Sequence, residues 1–156
     1  MMYWITITLI SKVEQLNPYK QQEAKMAYIT QEQKKVKETK LKPILKKYGI
    51  SARLGIDNNN TLVMNITKGK IDFLNIWKNT SNQKVEIPEK LDYLQVNPYW
   101  YKDQFLGEAL NFLIESFEVL NEGNHNNSDI QSDYFDIGFY VDVNIGKWNK
   151  PYQLTT

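Results

Sequence analysis

Hydrophobic and polar positions alternate most regularly near the C-terminus. Ile137, Phe139, Val141, Val143 and Ile145 are interleaved there with Asp136, Gly138, Tyr140, Asp142 and Asn144. A period of two puts each set on its own face, so residues 133–145 are predicted to form a half-buried strand with a polar outer face. A period near 3.6 appears just upstream. Phe105, Leu106, Ala109, Leu110, Phe112, Leu113, Phe117 and Leu120 form one broad apolar face over residues 103–121. This predicts the principal helix, with Asp103 as its cap, Gly123 past its end, and Glu108, Glu115 and Glu118 outside the buried face.

A second helix is expected over residues 31–48. Thr30 and Gln33 have the spacing of a capping box, and Gly49 follows the last turn. Val36, Leu41, Ile44, Leu45 and Tyr48 supply its apolar stripe, and Pro43 is expected to kink or split it. Residues 50–56 and 61–67 read as two strands. The run Asp57, Asn58, Asn59, Asn60 between them tolerates positive φ, so the pair is a predicted hairpin. Residues 71–77 suggest one or two helical turns, 78–90 have loop composition, and 91–97 suggest a strand ended by Pro98. At the other end, residues 3–10 alternate like a strand, and 11–25 read as a linker. Met26 has the look of a natural start. The expected organisation is therefore an N-terminal extension over 1–25 and a single domain over 26–156. Its predicted class is α+β, an antiparallel-rich sheet with two main helices packed on one face.

Composition narrows the chemistry. The 156 residues include no cysteine and one histidine, His125. Thiolate metal sites, disulfides, cysteine catalysis and multi-histidine centres are thereby excluded, and no cofactor is expected. The net charge of +1 conceals a strong asymmetry. Residues 1–50 hold ten lysines and four glutamates, a net of +6, whereas residues 101–156 hold three lysines and nine carboxylates, a net of −6. Once folded, these ends either pair with each other or form two poles. The apolar opening lacks the basic leader and cleavage site of a secretory signal. No run approaches the ~20 residues needed to span a bilayer. A cytoplasmic protein without membrane attachment is expected.

Four groups of residues are candidates for function. His125, Asp129 and Asp133 are candidate metal ligands or acid–base groups, although their spacing matches no established metal motif and a self-satisfied polar loop explains them more simply. Glu115, Glu118, Asp136 and Asp142 are candidates for an acidic partner-binding surface. Asp136 and Asp142 are too far apart along one strand to act as a glycosidase pair. Among the aromatics, Tyr99 and Tyr101 are expected to be exposed and available to a partner, with Trp100 and Trp148 capping the core. Lastly, Lys34, Lys35, Lys37, Lys40, Lys42, Lys46 and Lys47 could follow a phosphate backbone, but a solubilising helix face accounts for them more simply. No phosphate loop, dinucleotide fingerprint, nucleophile elbow or zinc-protease motif is present.

Two blocks carry a resemblance. TKLKPILKKYGI at 39–50, leading into SARLG and TLVMNI, and DIQSDYFDIGFYVDVNIGKWNKPY at 129–152 resemble small proteins carried by phages and conjugative elements. The helix–hairpin opening is similar to one of the large polyvalent protein-associated domains of such elements. The resemblance covers about residues 26–153 and assigns no catalytic residue. It implies a mobile-element accessory protein that binds a host protein or nucleoprotein complex, including the inhibition of a CRISPR or restriction effector. Two alternatives stand beside it. One is a small metal-dependent or nucleic-acid-processing enzyme centred on His125, Asp129 and Asp133. The other, weaker, is direct nucleic-acid binding by the lysine-rich helix.

Overall fold

The computed structural model describes residues 26–80, 91–129, 131 and 136–155. The expected N-terminal extension, Asp133 and most of the 78–90 loop lie outside these residues. Helix α1, Gln31–Tyr48, leads into the hairpin β1, Ile50–Asp57, and β2, Thr61–Gly69. Helix α2, Phe73–Thr80, follows. Then come β3, Leu94–Val96, a 3₁₀ turn at Tyr101–Asp103, and α3, Gly107–Leu120. Strands β4, Tyr140–Ile145, and β5, Gln153–Leu154, complete the order. The class is α+β, as the sequence indicates.

The local signals act as chemistry requires. Thr30 accepts from the Gln33 amide, while the Gln33 side chain accepts from the Thr30 amide, so a complete capping box starts α1. Gly49 ends it at φ 66°, the left-handed conformation that glycine adopts at least cost. Asn58 and Asn59 both take positive φ, 52° and 58°, which matches the twist of a two-residue hairpin turn.

The sheet runs β1-β2-β4-β3, with β5 beside the end of β2. β1/β2 and β3/β4 are antiparallel, and these pairs contribute most of the register. The central pair β2/β4 is parallel, with Leu62 opposite Val141 and Met64 opposite Val143. β5 joins β2 in parallel as well. Leu62, Met64, Ile66, Val143 and Ile145 are buried on the face covered by the helices, together with Leu41, Phe112, Leu113, Phe117 and Leu120. The opposite face is open and carries Arg53, Asn65, Asn144 and Gln95 in one row across four strands.

Three sequence expectations are corrected here. Helix α1 is continuous through Pro43, because Pro43 and Thr39, whose carbonyl loses its partner, both lie on the exposed side. Packing of Leu41, Ile44 and Leu45 against the core carries the helix past this point without a break. Second, α3 starts at Gly107 rather than at Asp103, with no side-chain cap. Tyr101 is drawn into the core, 6% exposed and stacked on Phe117 at 4.5 Å, which forces residues 101–103 into a separate turn. Third, of the strand expected over 133–145, Tyr140–Ile145 form β4; among the described residues before it, Ile137 bridges Asn126 in a loop instead of joining the sheet.

The buried stripe of α1 also differs. Val36 is exposed, and Lys37 is buried in its place, 4% exposed. Counting back from Leu41 by four residues reaches position 37, so Lys37 occupies the first seat of the stripe. Its ammonium donates to Val119 O at 3.1 Å and Glu122 O at 2.7 Å, the end of α3, and lies 5.2 Å from the Phe139 ring centroid. A cation here joins the Glu122 amide on Val119 O and also bonds Glu122 O just past the helix, at its negative end. Burial pushes its pKa down, and Glu122 partly restores it. Lys37→Met should cost about 1–3 kcal/mol, the loss of two charge-assisted hydrogen bonds to part-buried carbonyls. Val36→Ala should stay within about 0.5 kcal/mol. Urea unfolding of the two variants checks this.

Candidate functional site: a cleft at the free edge of β4

β3 ends at Val96, opposite Val143. Upstream of β4, the 124–127 loop lies along the same edge. Gly138 N donates to His125 O at 3.0 Å, Asn127 N to Asp136 O at 2.8 Å, and Asn126 bridges Ile137. The Asn124 side chain imitates a strand partner, donating to Phe139 O and accepting from Phe139 N, both at 2.9 Å. Between these covers, Tyr140–Ile145 has no strand neighbour on that side for its first three residues, a window about 10 Å long at the usual rise per residue. A cleft of about 500 Å³ opens there, with Tyr99 on one wall, Asn121 and His125 on the other, and Tyr140 and Asp142 on its floor.

Each wall has a local cause. The Asn97 side chain accepts from the amides of Tyr99 at 2.9 Å and Trp100 at 3.1 Å, a turn that projects both rings outward. Tyr99 is 82% exposed. On the far wall, a Cβ on Gly138 would stand 2.7 Å from Asn124 Oδ1 and 3.1 Å from His125 Nδ1, so only glycine lets the loop lie this close. His125 Nε2 is fixed against Asp136 Oδ1 at 2.9 Å. On the floor, burial raises the Asp142 pKa, and the neighbouring carboxylate of Asp57 raises it further. No cation pairs with Asp142 among the described residues.

The cleft thus collects Tyr99, Asp142 and His125, which are far apart in sequence, and Asp136 supports it from behind. Sequence reasoning missed Tyr140, which was assigned to a polar strand face; nothing in the alternation shows that the strand's edge is uncovered there. Glu115, Glu118 and Tyr101 lie outside the lining. Tyr101, expected at the surface, is a core residue because its ring completes the packing against Phe117. Trp100 and Trp148, expected to cap the core, are exposed. Tyr152 takes the core position instead, packed edge-on against Phe73 and donating its hydroxyl to Ile71 O at 2.7 Å.

The candidate metal group is only partly described. His125 is engaged by Asp136, Asp129 accepts from the Gln131 amide at 3.0 Å, and Asp133 lies outside the described residues. Among the described residues, no group of three or more histidine and carboxylate side chains is arranged to hold a metal ion. Likewise, no described helix is long and apolar enough to cross a membrane.

Much of the charge asymmetry cancels between α1 and α3. Lys40 bonds Glu122, and Lys47 bonds Glu115 at 3.0 Å, with the Tyr48 hydroxyl donating to the same carboxylate. Lys34 pairs with Glu38 at 3.3 Å within α1. Lys35, Lys42 and Lys46 remain as exposed lysines of the series. Comparison of the chain with protein-family models, with curated proteins and with solved structures finds no match in any of the three.

The Tyr48 and Lys47 hydrogen bonds hold the Glu115 pKa below the ordinary carboxylate range. Its contribution to stability is therefore present above that range and is lost as the pH falls through the lowered pKa. Glu115→Gln should lower stability slightly at neutral pH, as expected of an exposed pair, and leave it unchanged below the lowered pKa, so that the acid limb flattens. Denaturation midpoints measured across the carboxylate range check it.

Proposed function

We propose that this chain is a binding protein of the mobile-element accessory type, which takes a lysine- or arginine-rich segment of a host protein or nucleoprotein complex into the β4 cleft. A cytoplasmic inhibitor of a host defence complex, of the CRISPR or restriction kind, fits this reading. The observation that carries it is Asp142. This carboxylate is half-buried and has a second carboxylate, Asp57, near it instead of a cation. Such an arrangement opposes folding and is relieved by an incoming cation. Tyr99 and Tyr140 supply the flanking aromatic surface that interfaces favour, and an aromatic face also attracts a guanidinium. The acidic reading of the C-terminal third is thereby narrowed to Asp142, joined by Asp57 of the β1–β2 hairpin, since Glu115 is committed to the α1–α3 contact.

The enzyme alternative draws on the His125–Asp136 hydrogen bond. A manganese or zinc ion bound in calorimetry, with binding lost in His125→Ala, would favour it.

Binding and stability should move in opposite directions at Asp142. Because its folded pKa is raised, ionisation of Asp142 lowers stability as the pH rises through the carboxylate range. Asp142→Asn should therefore raise the melting temperature at neutral pH while abolishing binding. A calorimetric titration with an alternating Arg-Ala dodecapeptide, and with its Gln-Ala counterpart, supplies the test. Wild-type protein should bind the first and not the second, and Tyr99→Ala should weaken binding at least about tenfold, the size of an aromatic hot spot. Equal response to both peptides, or full binding by Asp142→Asn, would reject the reading.

A further inference from the structure

The open face of the sheet has a second end. There, about 630 Å³ of concave surface lies between β1, β2 and the segment that links β4 to β5. Arg53, Lys68, Lys147 and Lys150 line it, and no carboxylate among the described residues does. None of these four cations forms an ion pair among the described residues, whereas four lysines of α1 are engaged within the fold. Arg53 is the chain's sole arginine. Its fork of donors suits a phosphate, and its plane can stack. Amide groups flank the cations: Asn65 lies opposite Arg53 in the β1/β2 register and accepts from Asn144 at 3.1 Å.

An aromatic side chain stands beside this basic surface. Lys147 N donates to Lys150 O at 2.8 Å, and Lys150 N donates back to Lys147 O at 3.1 Å. These bonds close a tight turn with Trp148 and Asn149 at its tip. Trp148 is 79% exposed, although burying an indole would be strongly favourable. The turn thus holds a flat apolar ring in water, next in the chain to Lys147 and Asn149 of the lining.

We propose that this end of the sheet binds single-stranded nucleic acid, with phosphates on Arg53, Lys68, Lys147 and Lys150 and a base stacked on Trp148. A basic concavity that follows the backbone, together with an exposed aromatic platform, is the combination that single strands use. Free phosphate would satisfy the cations but leave the indole unused. A duplex hides the base faces that an indole stacks on, and this surface presents neither a helix nor a ribbon for its groove. An acidic protein segment would likewise leave Trp148 without a stacking partner. This site is separate from the β4 cleft and does not depend on the function proposed for it.

The test is fluorescence anisotropy of labelled dT12 with the full chain, in low and moderate salt. Binding should weaken with salt, with a log–log slope of about −0.7 for each phosphate engaged. Trp148→Ala should weaken it about tenfold or more, and Arg53→Gln with Lys150→Gln should make the salt slope shallower. Lys35→Gln with Lys46→Gln on α1, and Asp142→Asn in the cleft, should leave it unchanged. All the substituted side chains named at this site are exposed, and circular dichroism confirms the fold of each variant. No binding of dT12 in low salt would overturn the proposal. Equal affinity for an abasic strand of the same length would overturn it too, as would displacement by polyglutamate as effective as displacement by unlabelled dT12.

Discussion

The ammonium of Lys37 is the joint on which this architecture turns. It leaves α1 on the buried side, crosses to the carbonyl end of α3, and lies against Phe139, the residue that leads into β4. One side chain thereby fixes the first helix, the last helix and the approach to the central strand. The contact holds because a buried ammonium cannot remain charged without acceptors, and the carbonyl end of α3 is the negative pole that supplies them. A methionine there would fill the space and lose both hydrogen bonds. The Lys47–Glu115–Tyr48 and Lys40–Glu122 contacts extend the same seam to the surface, where solvent reduces their worth.

This seam changes the meaning of the charge distribution. Along the chain, a basic first third opposes an acidic last third. In the fold, α1 and α3 lie side by side, and much of that opposition is consumed between them. Among the described residues, unpaired charges also lie toward the two ends of the sheet. Asp57 and Asp142 mark one end, beside the cleft; Arg53, Lys68, Lys147 and Lys150 mark the other. Arg53 and Asp57 are on the same strand and the same face, so about 13 Å separates the two characters. An arrangement of this kind suits a partner in which basic protein and nucleic acid occur together, and it gives the two proposed sites a common surface on which to act.

The legibility of the sequence was uneven for identifiable reasons. Thr30 with Gln33, Gly49, and the paired Asn58 and Asn59 each performed the role their type and spacing imply, because caps and tight turns are satisfied within a few residues. Pro43 does not split α1, because the cost of a proline depends on whether the freed carbonyl faces water. Val36 misled because hydrophobicity was allowed to outweigh spacing; the step of four from Leu41 reaches Lys37. Tyr101 and Trp148 exchanged their expected places, since residue type alone does not reveal which aromatic finds a ring to pack against. The β4 cleft was only half visible. Tyr99, His125 and Asp142 stood out singly, but nothing connected them.

The amino-acid sequence by itself determined the class, the principal helices, the hairpin and its turn, and the absence of thiol chemistry, all of which rest on local periodicity, local hydrogen bonding or composition. Only the tertiary structure decided that β2 and β4 are parallel neighbours, that β3 stops short of Asp142, and which charges are spent and which are left. Strand direction, edge exposure and ion pairing join residues dozens of positions apart, and no local pattern records the packing that brings them together.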